Sequence, residues 1–136
     1  MKKFLIAAVF VVAMLIAAGT AFMLRGESNR KQMVAYINDP EAARSAIIAN
    51  PKDAVAHEAL ANYYIKNNDR LNSVKHLREV VRIAPSDRFA QYRLAGQLRF
   101  AGQKDEAIKM YQQLAQGDDR IAKSSQRLLS KLKQSP

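Results

Sequence analysis

Sliding the sequence along itself by 34 positions lays residues 54–87 over residues 88–121 with their apolar residues in register. Leu60 falls on Leu94, Ala61 on Ala95, Val74 on Ile108, Leu77 on Tyr111, Val80 on Leu114 and Ala56 on Ala90. A fixed period of this size marks stacked supersecondary units, because one such unit cannot bury its apolar face alone. Both blocks break at the same place, at Asn67-Asn68-Asp69 and at Ala101-Gly102-Gln103. Asn and Gly tolerate the left-handed conformation that closes a helix, so each block reads as a helix, a tight turn and a second helix. After Arg25 the apolar residues recur at spacings of three and four, with no strand-like alternation, and the expected fold class is all-α.

The recurring positions resemble the tetratricopeptide repeat, whose pattern is Trp, Leu-Gly and Tyr in the first helix, then Ala, an aromatic, a small residue and Pro. The first block holds His57, Leu60-Ala61, Tyr64, Ser73, Leu77, Val80 and Pro85 at these places. The second holds Gln91, Leu94-Ala95, Leu98, Ala107, Tyr111, Leu114 and Asp119. The chain departs from the pattern in lacking the Trp, the first Gly, the small residue and the second Pro. The resemblance implies a short helical-hairpin solenoid, with repeat 1 at 54–87 and repeat 2 at 88–119.

Two repeats need caps. Asp39-Pro40-Glu41 supplies an N-cap, a first-turn proline and a dipole-matched acid, opening a capping helix over 39–50 that ends at Asn50-Pro51. Pro51 precedes Pro85 by 34 positions, so this helix looks like the second helix of a degenerate earlier repeat. Downstream, Gly117-Asp118-Asp119 ends one helix and starts another over 120–133. Ile121, Leu128, Leu129 and Leu132 are expected to face inward there. Arg120, Lys123, Arg127, Lys131 and Lys133 make the other side a basic cap.

Lys2 and Lys3 precede a run without charge at residues 4–24, closed by Arg25. As a helix this run is about 31 Å long, enough to cross a hydrocarbon core of about 30 Å. Residues 1–25 are therefore expected to form a single transmembrane anchor, with 26–38 as a linker or helical extension. The small residues from Ala17 to Ala21 also offer a signal-peptide ending, but Phe22, Met23 and Leu24 carry the apolar run past it. Positive charge is nearly balanced across the span. The short Lys-Lys end resembles a bacterial export signal, which implies a bacterial inner-membrane protein with a periplasmic C-terminal domain, or a cleaved periplasmic one.

Catalytic chemistry finds no footing. The chain has no cysteine, which removes disulfides, thiolate metal sites and thiol nucleophiles. Its two histidines, His57 and His76, have no metal-type spacing and are assigned packing or surface roles. No phosphate-cradling loop or nucleophile elbow occurs among the five glycines. No catalytic residue, metal ligand or cofactor is assigned, and the chain is expected not to be an enzyme. Net charge is +10, which suits an acidic partner or anionic lipid. Nucleic acid is disfavoured because acids are interspersed through the repeats and no recognised nucleic-acid module occurs.

In the tetratricopeptide family the first helices of successive hairpins line a concave groove that holds a peptide or a partner helix. Carried over residue by residue, the groove positions are Val55, Glu58, Ala59, Asn62 and Ile65, then Phe89, Tyr92, Arg93, Gly96 and Arg99. Asn62 matches a position that bonds a peptide backbone in carboxylate-binding members, and Lys123 and Arg127 match basic positions of a third repeat. Glu58 and Arg93 depart from that pattern. Phe89 and Tyr92 are candidate aromatic anchors, with Arg93, Arg99, Lys123 and Arg127 steering an acidic ligand. The expected partner-binding set is Glu58, Asn62, Phe89, Tyr92, Arg93, Arg99, Lys123 and Arg127. The expected function is a membrane-anchored adaptor or scaffold for a protein or peptide in a cell-envelope assembly. The alternative is a small structural subunit of a membrane complex.

Overall fold

The computed structural model describes the backbone of residues 2–134 and the side chains of residues 12–132. Among them are seven helices and no strand: α1 Lys2–Asn38, α2 Pro40–Ala49, α3 Ala54–Lys66, α4 Arg70–Ile83, α5 Arg88–Phe100, α6 Lys104–Leu114 and α7 Arg120–Gln134. The all-α expectation is met, and α3 packs on α4 and α5 on α6 as helical hairpins.

Aspartates start most of these helices. Asp39, Asp53, Asp69, Asp87 and Asp119 each accept hydrogen bonds from backbone N–H groups of the first turn that follows. Such a cap satisfies donors that a helix cannot satisfy itself. The two hairpin turns close identically. Asn68 (φ 60°) and Gly102 (φ 82°) take the left-handed conformation 34 positions apart. Beside them Asp69 N–H donates to Tyr64 C=O and Gln103 N–H to Leu98 C=O, both at 2.9 Å.

The period also fixes the core. Ala61, Val74 and Leu77 of the first hairpin pack with Leu94, Ala95, Leu98, Ala107 and Tyr111 of the second. Leu128, Leu129 and Leu132 of α7 cover this cluster from one side, at the places 34 positions after Leu94, Ala95 and Leu98. A second cluster joins Ala43 of α2 to Ala56 and Leu60 of α3, with Tyr36, Ala46, Ile47 and Tyr64 around it. Arg88 ties the chain's end to this stack: its guanidinium donates to Leu114 C=O (2.9 Å), Gln116 C=O (3.2 Å) and Asp119 (3.1 Å).

Residues 26–38 form a helical extension, continuous with the apolar run in α1. Its last turns pack on α3, where Tyr36 donates to Asp53 at 3.3 Å and receives a hydrogen bond from Gln32. From Val12 to Lys31 the helix projects exposed. Among the described residues no helix is long and apolar enough to cross a membrane. The side chains at 1–11 of the expected anchor lie outside the described residues.

Leu77 is fully buried in the shared cluster, whereas Leu71 on the same helix is 67% exposed. Leu77→Ala should lower unfolding free energy by about 2–5 kcal/mol and Leu71→Ala by no more than about 0.5 kcal/mol, read by urea denaturation. Equal effects would mean that the hairpins do not share this core.

Candidate functional site

In a stack of hairpins the second helix of one unit packs on the first helix of the next, so first helices face each other across a space. α4 packs on α5, while no backbone of α3 comes close to α5. One side chain crosses that space. Arg93 of α5 donates from Nη1 to Glu58 Oε1 at 2.6 Å and from Nη2 to Asn62 Oδ1, engaging two residues one turn apart on α3. The planar guanidinium fits this double role, and Arg93 is mostly buried as it performs it.

The structure thus brings together Glu58, Asn62 and Arg93, with Phe89 one turn before Arg93 on α5. The Arg93 guanidinium lies 5.9 Å from the Phe89 ring centre, at the outer limit of a cation–π contact. Phe89 itself is 59% exposed, a large apolar ring left in water at the edge of the groove.

The other groove candidates fall elsewhere. Tyr92 is half-buried against the core and meets Tyr111 edge-on, ring centres 5.8 Å apart. It braces the groove wall from behind. Arg99 stacks on Phe100 at 4.2 Å and lies beside the Tyr111 hydroxyl. Burial pushes the Tyr111 phenol up, and Arg99 pulls the other way. Lys123 and Arg127 are exposed on α7, and no hydrogen bond or ion pair among the described residues joins them to Phe89, Tyr92 or Arg93. Val55 is half-buried and Ala59 fully buried in α3.

The histidines hold an arrangement that spacing along one helix did not reveal. His57 of α3 and His76 of α4 meet Nδ1 to Nδ1 at 3.0 Å. His57 is 5% exposed, and its Nε2 donates to Pro51 C=O at 3.2 Å. The ring centres are 5.3 Å apart, further apart than the nitrogens by about two ring radii. The rings therefore meet head-on, as a shared N–H···N bond requires. A metal ion between the nitrogens, about 2.0–2.1 Å from each, would hold them about 3.3 Å or more apart. Among the described residues no third ligand completes a metal-binding group. The pairing was legible in one respect: His57 lies ten residues before Asn67 and His76 nine after it. Positions at nearly equal distances from a hairpin turn face each other.

The Tyr64 ring stacks on His76, centres 5.5 Å apart, and Tyr64 OH accepts from Arg44 Nη2 at 3.3 Å. Burial pushes the His76 imidazole down to about 4, helped by His57, Lys75 and Arg44, with Glu79 opposing. The folded state thus holds His76 neutral where the unfolded chain would protonate it.

Stability should consequently fall as pH drops from about 6.5 toward 4, because only the unfolded chain takes up the proton in that window. The loss attributable to this half-exposed ring is on the order of 1–2 kcal/mol after solvent screening. Thermal midpoints measured every half pH unit should decline through this range. His76→Gln should flatten the decline, and an unchanged slope would remove His76 as its cause.

Compared with known proteins, the chain matches no family model and no curated protein.

Proposed function

We propose that this chain is a membrane-anchored adaptor of tetratricopeptide type, which holds a peptide or helix of a partner protein in the groove between its first helices. The observation that carries the reading is the α3–α5 space itself. It is held by Arg93 against Glu58 and Asn62 and edged by an exposed Phe89. Aromatic residues and Arg are the side chains enriched at protein interfaces. Nothing in this set resembles a nucleophile–base pair, and binding suits it better than catalysis.

The anchor reading is supported by the uncharged run at 4–24 and by the exposure of Val12, Met14, Leu15, Ile16, Phe22, Met23 and Leu24 on α1. Water is a poor solvent for such a rod. Because α1 continues to Asn38, the groove would stand about 20 Å from the end of the apolar run. The proposed setting is the bacterial inner membrane with the domain on the periplasmic side, and the proposed partner is acidic, matching the chain's net charge of +10.

Two experiments address these readings. A photo-reactive residue at position 89 should trap one partner in cells, and Arg93→Ala should reduce the trapping about tenfold or more while helix content is retained. Equal trapping from exposed Leu71 would overturn the groove assignment. A partner that stays stoichiometric in high salt would favour the structural-subunit reading. For the anchor, Leu15→Arg should shift the chain from the alkali-resistant membrane fraction toward the soluble one, since Arg at a helix centre costs about 2.5–3.5 kcal/mol on insertion. Membrane retention unaffected by this change would count against a span at 4–24.

A further inference from the structure

A second concavity, sharing no residue with the α3–α5 groove, opens between α2, α3 and α4. It encloses about 260 Å³ and is lined by Arg44, Ile47, Ile48, Leu60, Tyr64, Lys75 and His76. The lining has two chemistries. Ile47, Ile48 and Leu60 are apolar, and Ile48 is 83% exposed, so hydrocarbon placed against it would leave water. The remaining four carry nitrogen or hydroxyl groups, and no carboxylate lines the cavity. Two acids nearby are already engaged, Glu41 with Arg44 and Glu79 with Arg82.

The hydrogen bonds of the histidine pair decide what this cavity offers. Pro51 C=O can only accept, so His57 Nε2 carries a proton. His57 Nδ1 is then a bare acceptor in the neutral ring, and His76 Nδ1 must be the donor between them. That leaves His76 Nε2 as an unprotonated nitrogen. Tyr64 OH already accepts from Arg44, so its own proton is available to give. Lys75 forms no ion pair among the described residues.

We propose that this cavity binds an aliphatic anion, a carboxylate on a short hydrocarbon chain, and that binding takes up a solvent proton on His76 Nε2. The chain lies on Ile47 and Ile48, and the anionic head accepts from Tyr64 OH, Lys75 Nζ and the new N–H of His76. Protonation at Nε2 leaves the Nδ1–H···Nδ1 bond to His57 intact, so the fold keeps its interhelical link. The charged and titratable groups that face His76 are Arg44 from α2, His57 and Tyr64 from α3, and Lys75 and Glu79 from α4. Arg44, His57 and Lys75 oppose a charge on the ring, and a bound anion offsets them. Pairing with the anion makes the imidazolium, disfavoured in the empty cavity, the stable form. The proposal is independent of the groove reading.

The test uses pentane-1-sulfonate as the probe, because its charge does not change between pH 4 and 7 and any pH dependence belongs to the protein. With the full chain, calorimetry should show about tenfold tighter binding at pH 5 than at pH 7, the effect of an opposite charge on a nearby imidazole. The imidazole nitrogen resonances, readily assigned with only two histidines in the chain, should show His76 becoming protonated at a higher pH with the probe bound. Pentanoate should compete for the same site. Ile48→Asp, at an exposed position that folding does not need, should weaken binding about tenfold or more with helix content unchanged. Equal affinity at pH 5 and pH 7, binding indifferent to Ile48→Asp, or inorganic sulfate binding as tightly as the probe would each overturn the proposal.

Discussion

Each hairpin here is too thin to bury its own apolar residues, and the whole domain follows from how that problem is solved. Leu77 and Val74 of one hairpin must be covered by Leu94, Leu98 and Tyr111 of the next. Alanines at 61, 95 and 107 let the helices approach, and the Tyr111 ring fills the space between. The same demand recurs at the stack's two ends. α7 supplies Leu128, Leu129 and Leu132 on one side, and the α1–α2 elbow supplies Tyr36, Ala46 and Ile47 on the other. The caps are therefore parts of the core as much as its covers.

Sharing a core in this way has a geometric by-product. Helix α4 comes against α5, so α3 and α5 are left apart, and what spans them must be a long side chain. Arg93 does this with charge-assisted hydrogen bonds to Glu58 and Asn62, which are stronger than neutral ones. Its near-burial makes the link firmer than a solvent-exposed pair, whose worth is about 0–1 kcal/mol. Arg78 does similar work between α4 and α6, reaching Gln103 and Glu106 at 3.0 and 2.7 Å. There both side chains are about half exposed, and the link is correspondingly weaker.

The first hairpin holds two imidazoles where its counterpart holds Gln91 and Met110. His57 and His76 stand between α3 and α4, where both nitrogens of the nearly buried His57 find partners, Nδ1 in the His76 ring and Nε2 in Pro51 C=O. An unpaired buried polar group would cost about 1–3 kcal/mol. In the second hairpin the position 34 after His57 is Gln91, whose amide instead donates to Pro85 C=O at 2.6 Å. Both side chains bond the C=O of the proline in the loop before their helix, so a local tether survives although the aromatic pairing does not.

The sequence by itself determined that the chain is all-α and where several of its helices start and turn. Those depend on local chemistry repeated every 34 residues: an Asp before a helix, an Asn or Gly in the left-handed turn, and apolar residues on one stripe. Leu60, Leu77, Leu94 and Tyr111 could be named as core for that reason. What individual side chains do between helices was decided only by the tertiary structure. Tyr92 and Phe89 are one turn apart on α5, yet one packs inward on Tyr111 and the other stays in water. Arg93 pairs with residues 31 and 35 positions away, and the histidines meet across 19. Periodicity says which face of a helix is buried, but the partner of a long polar side chain depends on where a neighbouring helix lies. That position is set by packing of the whole stack.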